Sequence, residues 1–219
     1  MQEVETGLWR WTGHHPDWTP DQNWDPEVGC VYVAAPDAVV LIDPVVPPED
    51  ADRFWDALDR DVARASLPVH VLLTVHWHCR SSVAVCDRYG GEIWAHEKVL
   101  TDTPREIEPT KTFTFDDTLP GGIVACDPVY FLESVFWLPG PGALVFGDIV
   151  TGADGELRLC PDDWLGGRAS GDDLRTALRP LLQLPVHHVL VSHGEPVLHD
   201  GRTALARLVD PHGVAPSAA

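Results

Sequence analysis

Three apolar stretches of this chain end in residues able to hold a metal ion or move a proton. Leu72-Leu73-Thr74-Val75 runs into His76-Trp77-His78, Leu144-Val145-Phe146-Gly147 into Asp148, and Val189-Leu190-Val191-Ser192 into His193-Gly194. A buried strand that stops at His or Asp holds that side chain rigidly at the rim of a sheet. His76 and His78 are two apart, so in extended backbone they point to the same side. Two imidazoles and one carboxylate are enough for an open mononuclear metal site. Taken singly, each histidine also fits a hydrogen-bonded core residue; the three strand ends together are what point to a metal. Cys79 lies inside the same run, where His76, His78 and Arg80 would lower its thiol pKa, but its direction alternates away from the two histidines.

The elements that must position these residues follow from the hydropathy pattern. Gly7 to Asp25 carries Trp9, Trp11, Trp18 and Trp24 and reads as an edge strand followed by a loop over the core, its indoles structural or walling a cleft. Cys30–Val33 and Ala38–Asp43 read as strands joined by a Pro36-Asp37 turn. Phe54, Leu58 and Val62 recur at helical spacing between Pro48 and Arg64. Val69–Val75 has the continuous apolarity of a strand buried on both faces. A short helix through Val83, Val85 and Tyr89 stops at Gly90-Gly91, and Glu92–Ala95 is the next strand. Lys111 to Val150 reads as short antiparallel hairpins punctuated by Asp-Asp and Pro-Gly turns. A helix over Asp172–Leu184, capped by Ser170 and disturbed at Pro180, precedes a strand over Val186–Val191 and a last helix through Leu205 and Leu208.

Composition narrows the function classes. The 219 residues include 15 Lys+Arg against 34 Asp+Glu, a net charge of −19 that repels phosphate backbones and anionic lipid. Neither nucleic acid nor a membrane is the expected partner; a small-molecule substrate or ligand is. The 44% hydrophobic content supports a globular core, expected as one domain over residues 1–210 with a frayed tail at 211–219. No apolar run reaches the roughly 20 residues of a membrane helix, and Met1-Gln2-Glu3-Val4-Glu5 lacks the features of a secretory signal, so a cytoplasmic protein is expected. The five cysteines are scattered without a C-x-x-C pair, which suggests neither disulfides nor a cysteine zinc site. Nine tryptophans leave apolar surface for a homodimer contact.

In order and spacing, nearly the whole chain resembles the metallo-β-lactamase superfamily. Val39-Val40-Leu41-Ile42-Asp43-Pro44 is similar to that family's early strand ending in Asp, and Leu72 to His78 to the strand feeding its H-x-H-x-D-H motif. Ile93-Trp94-Ala95-His96-Glu97 resembles the next strand, Ser134 to Asp148 the hairpin leading to the bridging Asp, and Val189 to Gly194 the last strand and final histidine. The resemblance implies an α/β, four-layered αβ/βα metallo-β-lactamase-type sandwich. It also shows departures: Arg80 and Ser81 stand at the motif's last two positions, and Tyr130 where the family has its third histidine.

What remains of the family's ligand set is His76, His78, Asp148 and His193. The resemblance then implies at most one ion, zinc or iron, on His76, His78 and Asp148, with Arg80's permanent charge at the second metal position and no dinuclear site. Such a site suits a hydrolase for a small ester, thioester or lactone, with Asp148 orienting water, Tyr130 donating to the oxyanion or leaving group and Arg80 steering an anionic substrate. Two other states fit the same residues. One is a metal-free pocket, without hydrolysis, that binds or transforms a ligand through Arg80, Tyr130, His193 and Cys79; the other is a regulatory protein or a fold kept for stability or partner binding, without chemistry. The remaining histidines (His14, His15, His70, His96, His187, His188, His199 and His212) read as structural or surface residues, with His14 and His15 on a loop able to reach the cleft.

Overall fold

Two sheets carry the chain's apolar alternation. The structure, a computed structural model, describes residues 1–97, 108–128 and 133–211. The first sheet contains β1 (Gln2–Glu5), β2 (Leu8–His14), β3 (Glu27–Ala34), β4 (Val39–Ile42), β5 (Val69–Leu72), β6 (Glu92–His96) and β7 (Lys111–Phe113), side by side in chain order. Neighbours are antiparallel as far as β4 and parallel from β4 to β7. Parallel neighbours need crossovers, which α1 (Ala51–Ala65) and α2 (Ser82–Tyr89) supply. The second sheet is built from β8 (Thr118–Leu119), β9 (Ile123–Cys126), β10 (Val135–Leu138) and β11 (Ala143–Phe146). After a separate hairpin, β12 (Val150–Ala153) and β13 (Glu156–Leu159), β14 (His188–Val191) joins it parallel to β11. The two remaining helices are α3 (Gly171–Leu178) and α4 (Gly201–Val209).

The period-2 alternation of the strands decides the layering. Val40 and Ile42 of β4 meet Phe136 and Leu138 of β10 and Ala143 and Val145 of β11 in a core between the sheets. The intervening Val39 and Leu41 face the other way, onto Phe54 and Leu58 of α1. Leu144 and Phe146 likewise turn outward to Leu174 and Leu178 of α3 and Leu205 of α4. Helix, sheet, sheet and helix therefore stack as the αβ/βα sandwich expected from the sequence.

Local chemistry sets the ends of several elements. α1 stops at Ser66, whose backbone is left-handed (φ 51) and whose N–H bonds back to Val62. Ser170 and Asp173 form a capping box at the start of α3, and Pro180, which lacks an N–H, converts the following turn to 3₁₀ over Arg179–Gln183.

Three expectations are corrected and one element is additional. The first tryptophan-bearing strand, β2, is interior, because the acidic segment Gln2–Glu5 pairs along its outer side. Lys111–Phe113 leaves the expected hairpin run and pairs in parallel with β6 in the first sheet. The hairpin of β12 and β13 has no counterpart in the sequence reading. The apolar run Val69–Val75 is strand only to Leu72, because the Thr74 amide turns aside to donate to the Asp43 carboxylate (3.0 Å). Tyr130 and residues 212–219 of the expected tail lie outside the described residues.

Candidate functional site

The site sits where β4, β5, β11 and β14 end. β11 runs into Gly147-Asp148 and β14 into Ser192-His193. His193 is held to the first sheet by an isolated bridge to Val28, and Gly29 donates its amide to Ser192 (2.8 Å). Only glycine permits that approach, since a Cβ at position 29 would stand 2.3 Å from the Val191 carbonyl oxygen.

His78, Asp148 and His193 converge. The Nε2 atoms of His78 and His193 lie 3.1 and 3.2 Å from Asp148 Oδ1. These three are the group able to hold a metal ion among the described residues. His76, named with His78 and Asp148 in the expected donor set, falls outside this group. The reason is backbone: His76–His78 forms a 3₁₀ turn, in which residues two apart no longer share a side as they do in a strand. The His76 ring instead packs edge-on against Trp77, 4.6 Å between centroids.

Each member of the trio is oriented from behind. His78 is buried and its Nδ1 stands 2.9 Å from Asp43 Oδ2, so with Nδ1 protonated the Nε2 lone pair faces Asp148. Asp43, itself in left-handed backbone (φ 48), is fixed by the amide and hydroxyl of Thr74. The indole of Trp77 donates to Asp148 Oδ2 (2.8 Å), which leaves Oδ1 for the two imidazoles. Beneath them, the buried Glu133 carboxylate accepts the amides of Gly147, Asp148 and Ile149 at 2.8–2.9 Å and so fixes the turn that presents Asp148. Gly147 makes room for this, because a Cβ there would collide with Thr74 Oγ1 at 2.6 Å.

Burial and charge oppose one another throughout the cluster. Burial pushes Asp148 toward neutrality, but the His78 and His193 imidazoles outweigh it and hold its pKa well below the usual carboxylate value. Burial and the Arg80 charge disfavour protonated His78, yet Asp148 and Asp43 prevail and raise its pKa. His193 moves the other way, its pKa lowered chiefly by burial. Glu133 is pushed up to about 8 by burial and the nearby Asp148 charge, against its three amide bonds.

The donor set fits a metal ion. Tetrahedral donors about 2.1 Å from a common centre lie about 3.4 Å apart, close to the observed 3.1 and 3.2 Å. Asp148 Oδ1 is buried and makes no well-aligned hydrogen bond despite its two imidazole neighbours, as expected of an atom shaped for coordination rather than for proton sharing. A metal-facing imidazole backed by a carboxylate, as in His78 and Asp43, is also the usual outer-shell arrangement.

A cavity of about 370 Å³ opens on the trio. Trp24, Trp77, Trp164, His15 and Arg80 line it. Arg80, in left-handed backbone (φ 39), does not pair with Asp148; its Nη1 donates to the carbonyls of Gly29 (3.2 Å) and Asp43 (3.0 Å). His15 does reach the cleft, whereas His14 turns toward Glu27. Trp9 and Trp11 pack in the core, as expected for structural indoles, while Trp24 walls the cleft. Cys79 is buried and is not among the cavity's lining residues. The sequence reading missed the supporting roles of Asp43, Thr74, Trp77 and Glu133. An acidic residue between the apolar segments, as at Glu133, was the available signal.

No protein-family model matches the sequence, and no curated relative matches it. Solved structures do match the fold. The metallo-β-lactamase from Pontibacter korlensis aligns with a TM-score of 0.66 at 19% identity, covering 95% of this chain and 97% of that one. Metallo-β-lactamase IND-7 aligns with a TM-score of 0.67 at 15% identity over 96% of both chains. A metallo-β-lactamase from Erythrobacter litoralis gives 0.62 at 17% identity, over 95% of this chain and 89% of that one.

Proposed function

From a chain that has the metallo-β-lactamase fold, we propose a metal-dependent hydrolase with a single ion held by His78, Asp148 and His193, acting on a small ester, thioester or lactone. The observation that carries this reading is the convergence of two imidazole Nε2 atoms on a buried carboxylate oxygen that has no well-aligned hydrogen bond. Bound zinc or iron supplies a Lewis acid for a carbonyl and acidifies water.

The chain's own residues do the rest. Asp43 keeps the proton of His78 on Nδ1, and Trp77 keeps Asp148 from turning its second oxygen inward. The three amides bound to Glu133 hold the Asp148 turn still while charge changes above it. The indoles of Trp24 and Trp164 narrow the cavity and thin the water around the trio. A cavity of this size in a chain of charge −19 favours a small molecule over nucleic acid.

Elemental analysis for zinc and iron on tag-free protein tests the reading, followed by an ester, thioester and lactone screen. About one ion per chain is expected, retained in His76→Ala and lost in His193→Ala and Asp148→Ala. Absence of any ion after reconstitution with zinc and with ferrous iron overturns the hydrolase reading.

A further inference from the structure

Three of the nine tryptophans line the cavity over the trio, and they come from three separate parts of the chain: the β2–β3 loop, the 3₁₀ turn after β5 and the segment after β13. None of the three is fully buried, so each keeps apolar surface at the cavity. Each is also held. Trp77 donates to Asp148, Trp164 donates to the Asn23 side chain (3.0 Å), and the Trp24 carbonyl accepts from Trp18 (2.8 Å). Trp24 and Trp164 both lean on the His193 ring at 5.2 Å. Asn23 also donates to Asp163 (3.1 Å), so one side chain ties the two tryptophan-bearing loops together. Apolar walls fixed in advance lose little freedom on binding a flat ring.

Arg80 supplies the second requirement. Among the described residues it is the only lysine or arginine lining this cavity, and it forms no ion pair with any of them. Its Nε and Nη2 groups are buried and, among the described residues, make no well-aligned hydrogen bond, the neutral Cys30 thiol being the side chain beside them. The nearby carboxylates are already engaged, Asp43 by Thr74 and His78 and Asp148 by Trp77 and the two imidazoles. A sequestered guanidinium without a counter-charge is costly unless an anion answers it.

We propose that the cavity takes an aromatic carboxylate, its ring against Trp24 and Trp164 and its negative charge toward Arg80. The inference rests on the proposed hydrolase only for the bond that is cut, which would be an ester, thioester or lactone attached to such a ring. A cationic ring is disfavoured by Arg80, and an aliphatic acid leaves the indoles uncovered.

Calorimetric titration of the full chain, metal-free and zinc-loaded, tests this with 1-naphthoate, cyclohexanecarboxylate and 1-naphthylmethylammonium. Naphthoate is expected to bind at least tenfold more tightly than either of the others. Trp24→Ala and Trp164→Ala should each weaken it about tenfold, with Trp164→Leu as a second variant should the alanine form fold poorly. Equal binding of the ammonium probe, unchanged affinity in the folded tryptophan variants, or no naphthoate binding at all overturns the proposal. Binding is read without turnover, so the two readings fail separately. A chain that binds naphthoate but holds no metal defeats only the hydrolase, and one that cleaves esters but ignores naphthoate defeats only this inference.

Discussion

Asp43→Asn isolates the link between the buried support and the metal-binding face of the site. The substitution is nearly isosteric, and asparagine tolerates the left-handed backbone at this position (φ 48). Its amide oxygen can still accept from the Thr74 N–H, as Asp43 Oδ1 does at 3.0 Å. What changes is the atom 2.9 Å from His78 Nδ1, an acceptor oxygen in the parent and an N–H donor in the variant. A donor there favours the tautomer with its proton on Nε2, the atom that must give its lone pair to the ion. Loss of such an outer-shell carboxylate weakens metal binding about 10- to 100-fold, or about 1.4–2.7 kcal/mol. Loss of the acceptor for the Thr74 hydroxyl removes about 1 kcal/mol of folding stability, small enough to leave the protein folded. Competition with a chromophoric zinc chelator measures the affinity, and circular dichroism confirms the fold. A folded variant whose zinc affinity stays within about twofold of the parent refutes the orienting role of Asp43.

Three further outcomes are expected. Glu133→Ala strands the buried amides of Gly147 and Ile149 and the amide of Asp148, and thermal unfolding should register a loss of about 3 kcal/mol or more. His15, whose pKa is lowered to about 4 chiefly by burial and by the Arg80 charge, stays neutral in the fold at pH values where the unfolded chain takes up a proton. Metal-free protein should therefore lose stability as pH falls from 6.5 toward 4, and His15→Gln should flatten that limb in a series of melting curves; an unchanged slope counts against the assignment. Ser170→Ala removes the hydroxyl that accepts from the Asp173 amide at the start of α3, leaving the backbone N–H of residue 170 on the Asp173 carboxylate, and should lower stability by about 1 kcal/mol in urea unfolding, with no change in metal content.

The elements were legible where a short-range rule governs them. Alternation along β4, β10 and β11, helical spacing of Phe54 and Leu58, and the Ser170 cap all depend on residues within a turn or two of one another. The same is true of His78, Asp148 and His193, which the sequence marks because each ends an apolar strand-like run. The sequence could not separate His76 from His78, since that depends on where β5 stops. Asp43, 31 residues away, takes the Thr74 amide and turns the backbone there into a 3₁₀ turn. Nor could it show that Glu133 would hold the Asp148 turn, that Arg80 would bind the carbonyls of Gly29 and Asp43 rather than face Asp148, or that Asn23 would reach Trp164 across 141 residues. Residue types, strand ends and the charge of −19 are properties of the chain as written. Which polar atoms end up sharing a partner is set only when the two sheets close, because a buried donor or acceptor must find its complement among whatever groups the packing brings within about 3 Å.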